Sequence, residues 1–155
     1  MKFMTKALVA GFVLSAGVVF AGKSTDPDAM ARQALMGING MNAKILGEMA
    51  GGKVPFDAAA AEAAKAAIAG VAGKIAATFE PQGTDAESKA KPEIWTSWDD
   101  FLAKADVLAK AAAALDATSL EGVQAGMEAI GGACKDCHTY NSVSAGQKIS
   151  RNRRG

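Results

Sequence analysis

The sequence predicts an all-α fold, an antiparallel four-helix bundle, and three observations carry that prediction. Beyond the first 21 residues the chain is rich in Ala, Lys, Glu, Leu and Met and poor in the β-branched and aromatic runs that mark strands. Its apolar residues recur at spacings of three and four over four stretches of similar length. The links between those stretches are mostly short, which sets successive helices side by side and antiparallel.

The first 21 residues form a separate unit. Lys2 and Lys6 precede an apolar block from Ala7 to Phe20, and Val19 and Ala21 stand where a signal peptidase reads small residues. Residues 1–21 are therefore expected to be a secretory signal peptide. The alternative, a transmembrane anchor, suits the block less well, because it is shorter than the ~20 residues a spanning helix needs. No later stretch is expected to span. The mature chain, residues 22–155, has a length suited to one domain with one core. Removing Lys2 and Lys6 leaves 15 basic residues against 16 acidic ones, a nearly neutral balance that points away from nucleic acid. Export implies a periplasmic protein and a compartment that tolerates covalent chemistry at cysteine.

The first helix is expected to open at Asp26-Pro27, a capping residue followed by proline at the first helical position. It should end near Ala50-Gly51-Gly52, with an apolar stripe of Ala34, Ile38, Met41, Ile45 and Met49. The second should follow the cap Asp57 and run to about Phe79. Its alanine-rich composition gives both helix propensity and close helix approach. A polar connection, "EPQGTDAESKAK", carries the breakers Pro81 and Gly83. The third helix is expected from about Pro92, with Trp95, Trp98, Phe101, Leu102, Ala105, Leu108 and Leu115 on a core-facing side. Thr118-Ser119-Leu120-Glu121 fits a capping box, which starts the fourth helix at Ser119.

On that last helix Leu120, Val123, Met127, Ile130, Cys134 and Cys137 repeat at alternating three and four, the period of a core-facing seam. Both cysteines of the chain therefore point inward, and His138, its only histidine, shares a helix face with Cys134. Several chemistries use such residues. A thioredoxin-like dithiol needs its pair at a helix N-terminus after a strand, whereas this pair lies several turns into a helix. Structural zinc wants four ligands, and only three strong ones exist. A local disulfide or inert buried thiols require no histidine. The remaining reading is c-type haem attachment, for which C-x-x-C-H is the signature, with thioethers from Cys134 and Cys137 and His138 on the iron. One haem c, covalently held near the C-terminal helix, is the expected cofactor.

An exported four-helix bundle with "CKDCH" on its last helix resembles the cytochrome c′ family, and the likeness extends along most of the mature chain. "RQALM", from Arg32 to Met36, resembles the family's first-helix motif, and "KPEIW", from Lys91 to Trp95, the start of its third helix. The resemblance implies that Arg32 and Gln33 lie at the haem edge, Arg32 holding a propionate. Lys89-Ala90 matches a second edge contact by position alone. Four residues after the arginine the family faces the distal side of the iron, and Met36 stands there.

The sixth iron position stays open at this point. Met36 as ligand fits the low-spin branch of the family, which transfers electrons and which the segment "MGINGMNAKILG" resembles more. Gly37, Gly40 and Gly47 remove bulk around Met36, and a thioether favours ferrous iron. Met41 as ligand is a second option, though its stripe makes it core. A vacant site binding nitric oxide or carbon monoxide is the third. The family usually has a basic residue four after the haem histidine, and this chain has Ser142. The tail "SAGQKISRNRRG", residues 144–155, carries four basic residues among its last eight and reads as a solvated, frayed end that would suit an acidic redox partner.

The expected function is a periplasmic monohaem cytochrome that carries one electron between redox partner proteins. A five-coordinate gas-binding cytochrome and a haem-free helical interaction module are the alternatives. No Ser/His/Asp or paired-carboxylate constellation suggests an enzyme, and the only histidine is committed. Members of the family often pair through their first two helices, and the small residues of the second helix permit a homodimer here.

Overall fold

A computed structural model describes residues 24–140, except 84 and 86. The expected signal peptide, Ser142 and the basic tail lie outside the described residues. The polypeptide folds into helices α1 (Pro27–Ala50), α2 (Ala58–Phe79), the single turn α3 (Glu93–Thr96), α4 (Trp98–Ala114) and α5 (Leu120–Tyr140). The long helices pack in a ring, α1 against α2, α2 against α4, α4 against α5 and α5 back against α1. This is the antiparallel four-helix bundle that the sequence predicts.

The local signals at the first two helices act as expected. Asp26 caps α1, its Oδ1 accepting from the backbone N–H of Asp28 at 2.8 Å and of Ala29 at 3.3 Å, with Pro27 as the first helical residue. Those bonds satisfy donors that a helix start leaves without partners. The C-terminal end turns at Gly52, whose φ of 67° lies in the left-handed region that glycine enters without strain. Asp57 caps α2 by accepting from Ala60 N–H at 3.0 Å.

Other expectations are corrected. The third helix is not continuous: it breaks at Ser97, where φ is −130°. On either side of the break the two indoles have different partners: Trp95 donates its Nε1–H to Phe79 O at 2.7 Å, and Trp98 stacks on Phe101 within α4, ring centres 5.5 Å apart. The capping box shifts by one residue. Ser119 Oγ accepts from Gly122 N–H at 3.0 Å and α5 starts at Leu120, while Thr118 turns back to donate its hydroxyl to Asp116 at 2.6 Å.

The largest correction concerns the rotation of α1. Of the expected stripe only Met49 is buried and Ile45 partly so; Ala34 is exposed, Ile38 is 45% exposed and Met41 59%. The buried face is instead Ala29, Arg32, Leu35, Asn39, Leu46 and Met49. It shares the helical period with the apolar stripe but includes an arginine and an asparagine, so a count of apolar residues selects the wrong side. Met41 is therefore not core. Leu46, Ile68, Ile94, Leu115, Val123 and Ile130 are the large side chains at the centre of the bundle.

Candidate haem site

The cysteine helix behaves as its period implies. Val123, Ile130 and Ala133 are buried, and Met127, Cys134 and Cys137 are partly buried against the same core. Burial pushes the Cys134 thiol above its ordinary pKa, since the thiolate would lose hydration there. His138, in the last turn of α5, is exposed on one side and on the other lines a cavity.

The register between α1 and α5 decides what lies across that cavity. Gln124 donates to Ala50 O at 2.9 Å, and a Cβ added to Gly47 would stand 3.7 Å from Met127 Cε, so the two helices run antiparallel with these residues level. Fourteen residues from Ala50 toward the start of α1 is Met36; fourteen from Gln124 toward the end of α5 is His138. Both side chains line the same cavity, one from each helix. Met41 does not reach it, and Gly40 is exposed, so the close approach of α1 to α5 occurs at Gly47.

The cavity measures about 450 Å³, within the usual range for a small-molecule or cofactor site. Ala29, Ile75, Phe79, Ile94 and Phe101 make its wall mainly apolar, and Cys137 opens onto it beside His138. Polar groups gather on one edge: Arg32 and Gln33 from α1, and Ser88, Lys89 and Lys91 from the connection before α3. Sequence reasoning missed the apolar wall residues, which come from four separate elements. Their only sequence signal is that each sits on the buried side of its own helix.

Arg32 gives this edge its character. It is 3% exposed, so its charge is buried, and its guanidinium lies 5.9 Å from the Phe79 ring centre and 5.7 Å from that of Trp95. Its Nη1 donates to Pro81 O at 2.9 Å, while Nε and Nη2 are buried without a partner among the described residues. A buried cation with two unused donors at the rim of an apolar cavity suits an anionic group at the edge of a flat, greasy ligand. A porphyrin with its propionates has that chemistry, and Cys137 and His138 line the same cavity from α5, with Cys134 one turn earlier on that helix. Among the described residues no group of three or more His, Cys, Asp or Glu gathers into a metal site of another kind.

Comparison with known proteins meets this geometry. The family model described as Cytochrome C′ matches residues 28–140. The chain belongs to the cytochrome c′ family. Cytochromes of this family carry haem c bound covalently through cysteines, and Cys134 and Cys137 are the two in this chain. Cytochrome c-556 of Agrobacterium fabrum is 35% identical over 144 residues, covering 90% of this chain and 94% of its own. The crystal structure of cytochrome c′ from Rubrivivax gelatinosus superposes with a TM-score of 0.63 at 30% identity, covering 72% of this chain and 91% of that one. A further cytochrome c′, described as having a ligand-controlled dimer dissociation, covers 77% of this chain and 96% of its own at 29% identity and a TM-score of 0.55. The chain is thus a monohaem c-type cytochrome.

Proposed function

We propose that this cytochrome is an exported, periplasmic one-electron carrier rather than an enzyme, with Cys134 and Cys137 as the thioether cysteines, His138 as proximal iron ligand and Met36 as distal ligand. The observation that carries the reading is the level placement of Met36 and His138 on antiparallel helices, both lining one cavity. Haem c supplies a one-electron ferric–ferrous couple when attached. The chain's own part is to present a soft thioether from α1, an imidazole from α5 and an apolar wall that keeps water from the centre, which together favour the ferrous state. Arg32 directs Nε–H and Nη2–H to a propionate, and Gln33 and Lys89 stand beside it on the same edge. Residues 1–21 act as the export signal, residues 22–155 form the mature domain, and no helix among the described residues is long and apolar enough to cross a membrane.

Absorption spectra of the holoprotein, made in a host with c-type haem maturation, test this directly. The expected result is a low-spin spectrum with a sulfur-to-iron charge-transfer band, converted to high spin by Met36→Ala with carbon monoxide binding gained. A wild-type protein that is already high spin and binds carbon monoxide would sink the Met36 assignment. That outcome is the second reading, a gas-binding cytochrome c′, which the family match and the merely partial burial of Met36 favour.

A homodimer belongs to the same proposal. The outer face of α1 carries Met30, Ala34, Ile38 and Met41, all exposed, beside the small residues of α2, and a cytochrome c′ relative is described as a dimer. Exposed apolar residues in a row at helical spacing suit a second copy of the same face.

A further inference from the structure

We infer that Gly83 and Trp95 are positioning residues that set the electron-transfer potential through Arg32, an inference that rests on the propionate reading of Arg32 above. Gly83 lies in the connection after α2 and approaches the arginine more closely than any other residue type allows. A Cβ built on it would stand 2.6 Å from Arg32 Nη2 and 2.9 Å from Asp26 Oδ2, both closer than real Cβ contacts come. Neither atom is the slack end of a loose chain. Asp26 is fixed by its capping bonds to α1, and the guanidinium is held through Nη1 by Pro81 O and lies near two aromatic rings.

One of those rings is itself anchored. Trp95 Nε1–H donates to Phe79 O at 2.7 Å, which ties the turn α3 to the end of α2. Phe79 contributes the second ring near the guanidinium, so the bond to its carbonyl ties the Trp95 ring to the residue that bears the other. Nη2 therefore rests against the bare backbone of Gly83, with no room for a side chain there. A planar fork held this way loses little freedom when it meets a carboxylate, whereas a loose one would lose more.

The consequence is electrostatic. A cation well aimed at a propionate offsets negative charge that would otherwise favour the ferric state, so misplacing the cation lowers the reduction potential. Gly83→Ala pushes Nη2 aside without removing the charge. Trp95→Phe keeps an aromatic ring but deletes the bond that fixes it.

Spectroelectrochemical titration of the holoprotein at one pH tests this with a double-mutant design. Arg32→Gln is expected to lower the midpoint potential. Gly83→Ala and Trp95→Phe should each lower it by a smaller amount with haem content and iron ligation spectra unchanged, and neither should lower it further in the Arg32→Gln background. A shift of equal size in both backgrounds shows that Gly83 and Trp95 act without Arg32 and overturns the inference. So does a normal potential in both variants when Arg32→Gln alone is shifted. No shift for Arg32→Gln with haem attached overturns the propionate reading itself. Should Gly83→Ala fail to accumulate, the Trp95→Phe arm decides by the same criteria.

Discussion

Arg32 and Leu46 show how differently single residues can be read. Both lie on the buried side of α1, yet only Leu46 looks buried by type, and the apolar count placed the core on a stripe that excludes them both. Leu46 is completely buried. Leu46→Ala should therefore cost about 2–5 kcal/mol of stability, measured by urea or thermal unfolding of the holoprotein. The same substitution would be nearly silent if the stripe through Ile38 and Met41 faced inward. Arg32 was legible as a site residue only through the "RQALM" resemblance. Nothing local to position 32 discloses that two rings, a proline carbonyl and a glycine from 47 to 63 residues away enclose its side chain. The cysteine and histidine positions were the opposite case, because helical period alone orients them.

At the scale of elements, the ends of α1, α2 and α5 depend on a few short-range bonds, and those were the most readable parts of the fold. Ser119→Ala removes the hydroxyl that accepts from Gly122 N–H and should cost about 1 kcal/mol, read from the shift in a denaturation midpoint. The turn before α5 adds a pH-dependent part. Hydrogen bonds from the hydroxyl and backbone N–H of Thr118 hold the Asp116 carboxyl below its ordinary value of 3.8. A lowered folded pKa gives stability that is present above the unfolded value and is lost as pH falls through the folded one. Wild type and Asp116→Asn should then differ in melting temperature near neutrality and converge as acid takes the carboxyl below 3.8 to its protonated form. The break at Ser97 escaped the sequence because Trp95 and Trp98 fit one continuous helix face, whereas the bond from Trp95 to the distant Phe79 carbonyl has no local signal.

For the molecule as a whole, the bundle brings α1, α2, the α2–α3 connection and α5 to one cavity and leaves a second surface unpartnered on the far side of α1. These two regions make separate demands. The outer face predicts that Ile38→Glu together with Met41→Glu turns a dimer into a monomer in analytical ultracentrifugation while helicity and the haem spectrum stay unchanged. A wild-type monomer across the concentration range would remove the dimer from the proposal. The fold class and the family were readable because helix periods, caps and C-x-x-C-H all lie within a few residues of one another. The walls of the cavity were not, since Ile75, Phe79, Ile94 and Phe101 meet only when the helices pack.

Helix α1 is apolar on both sides: Leu35, Leu46 and Met49 face the core together with Arg32 and Asn39, while Met30, Ile38 and Met41 face outward. In the language of folding landscapes this is local frustration, since apolar periodicity alone admits two rotations of the helix. Its native rotation is supported by partners it does not carry itself, namely the rings and carbonyl around Arg32. The segment that bears the candidate distal ligand thus owes its orientation to the rest of the bundle as well as to its own sequence.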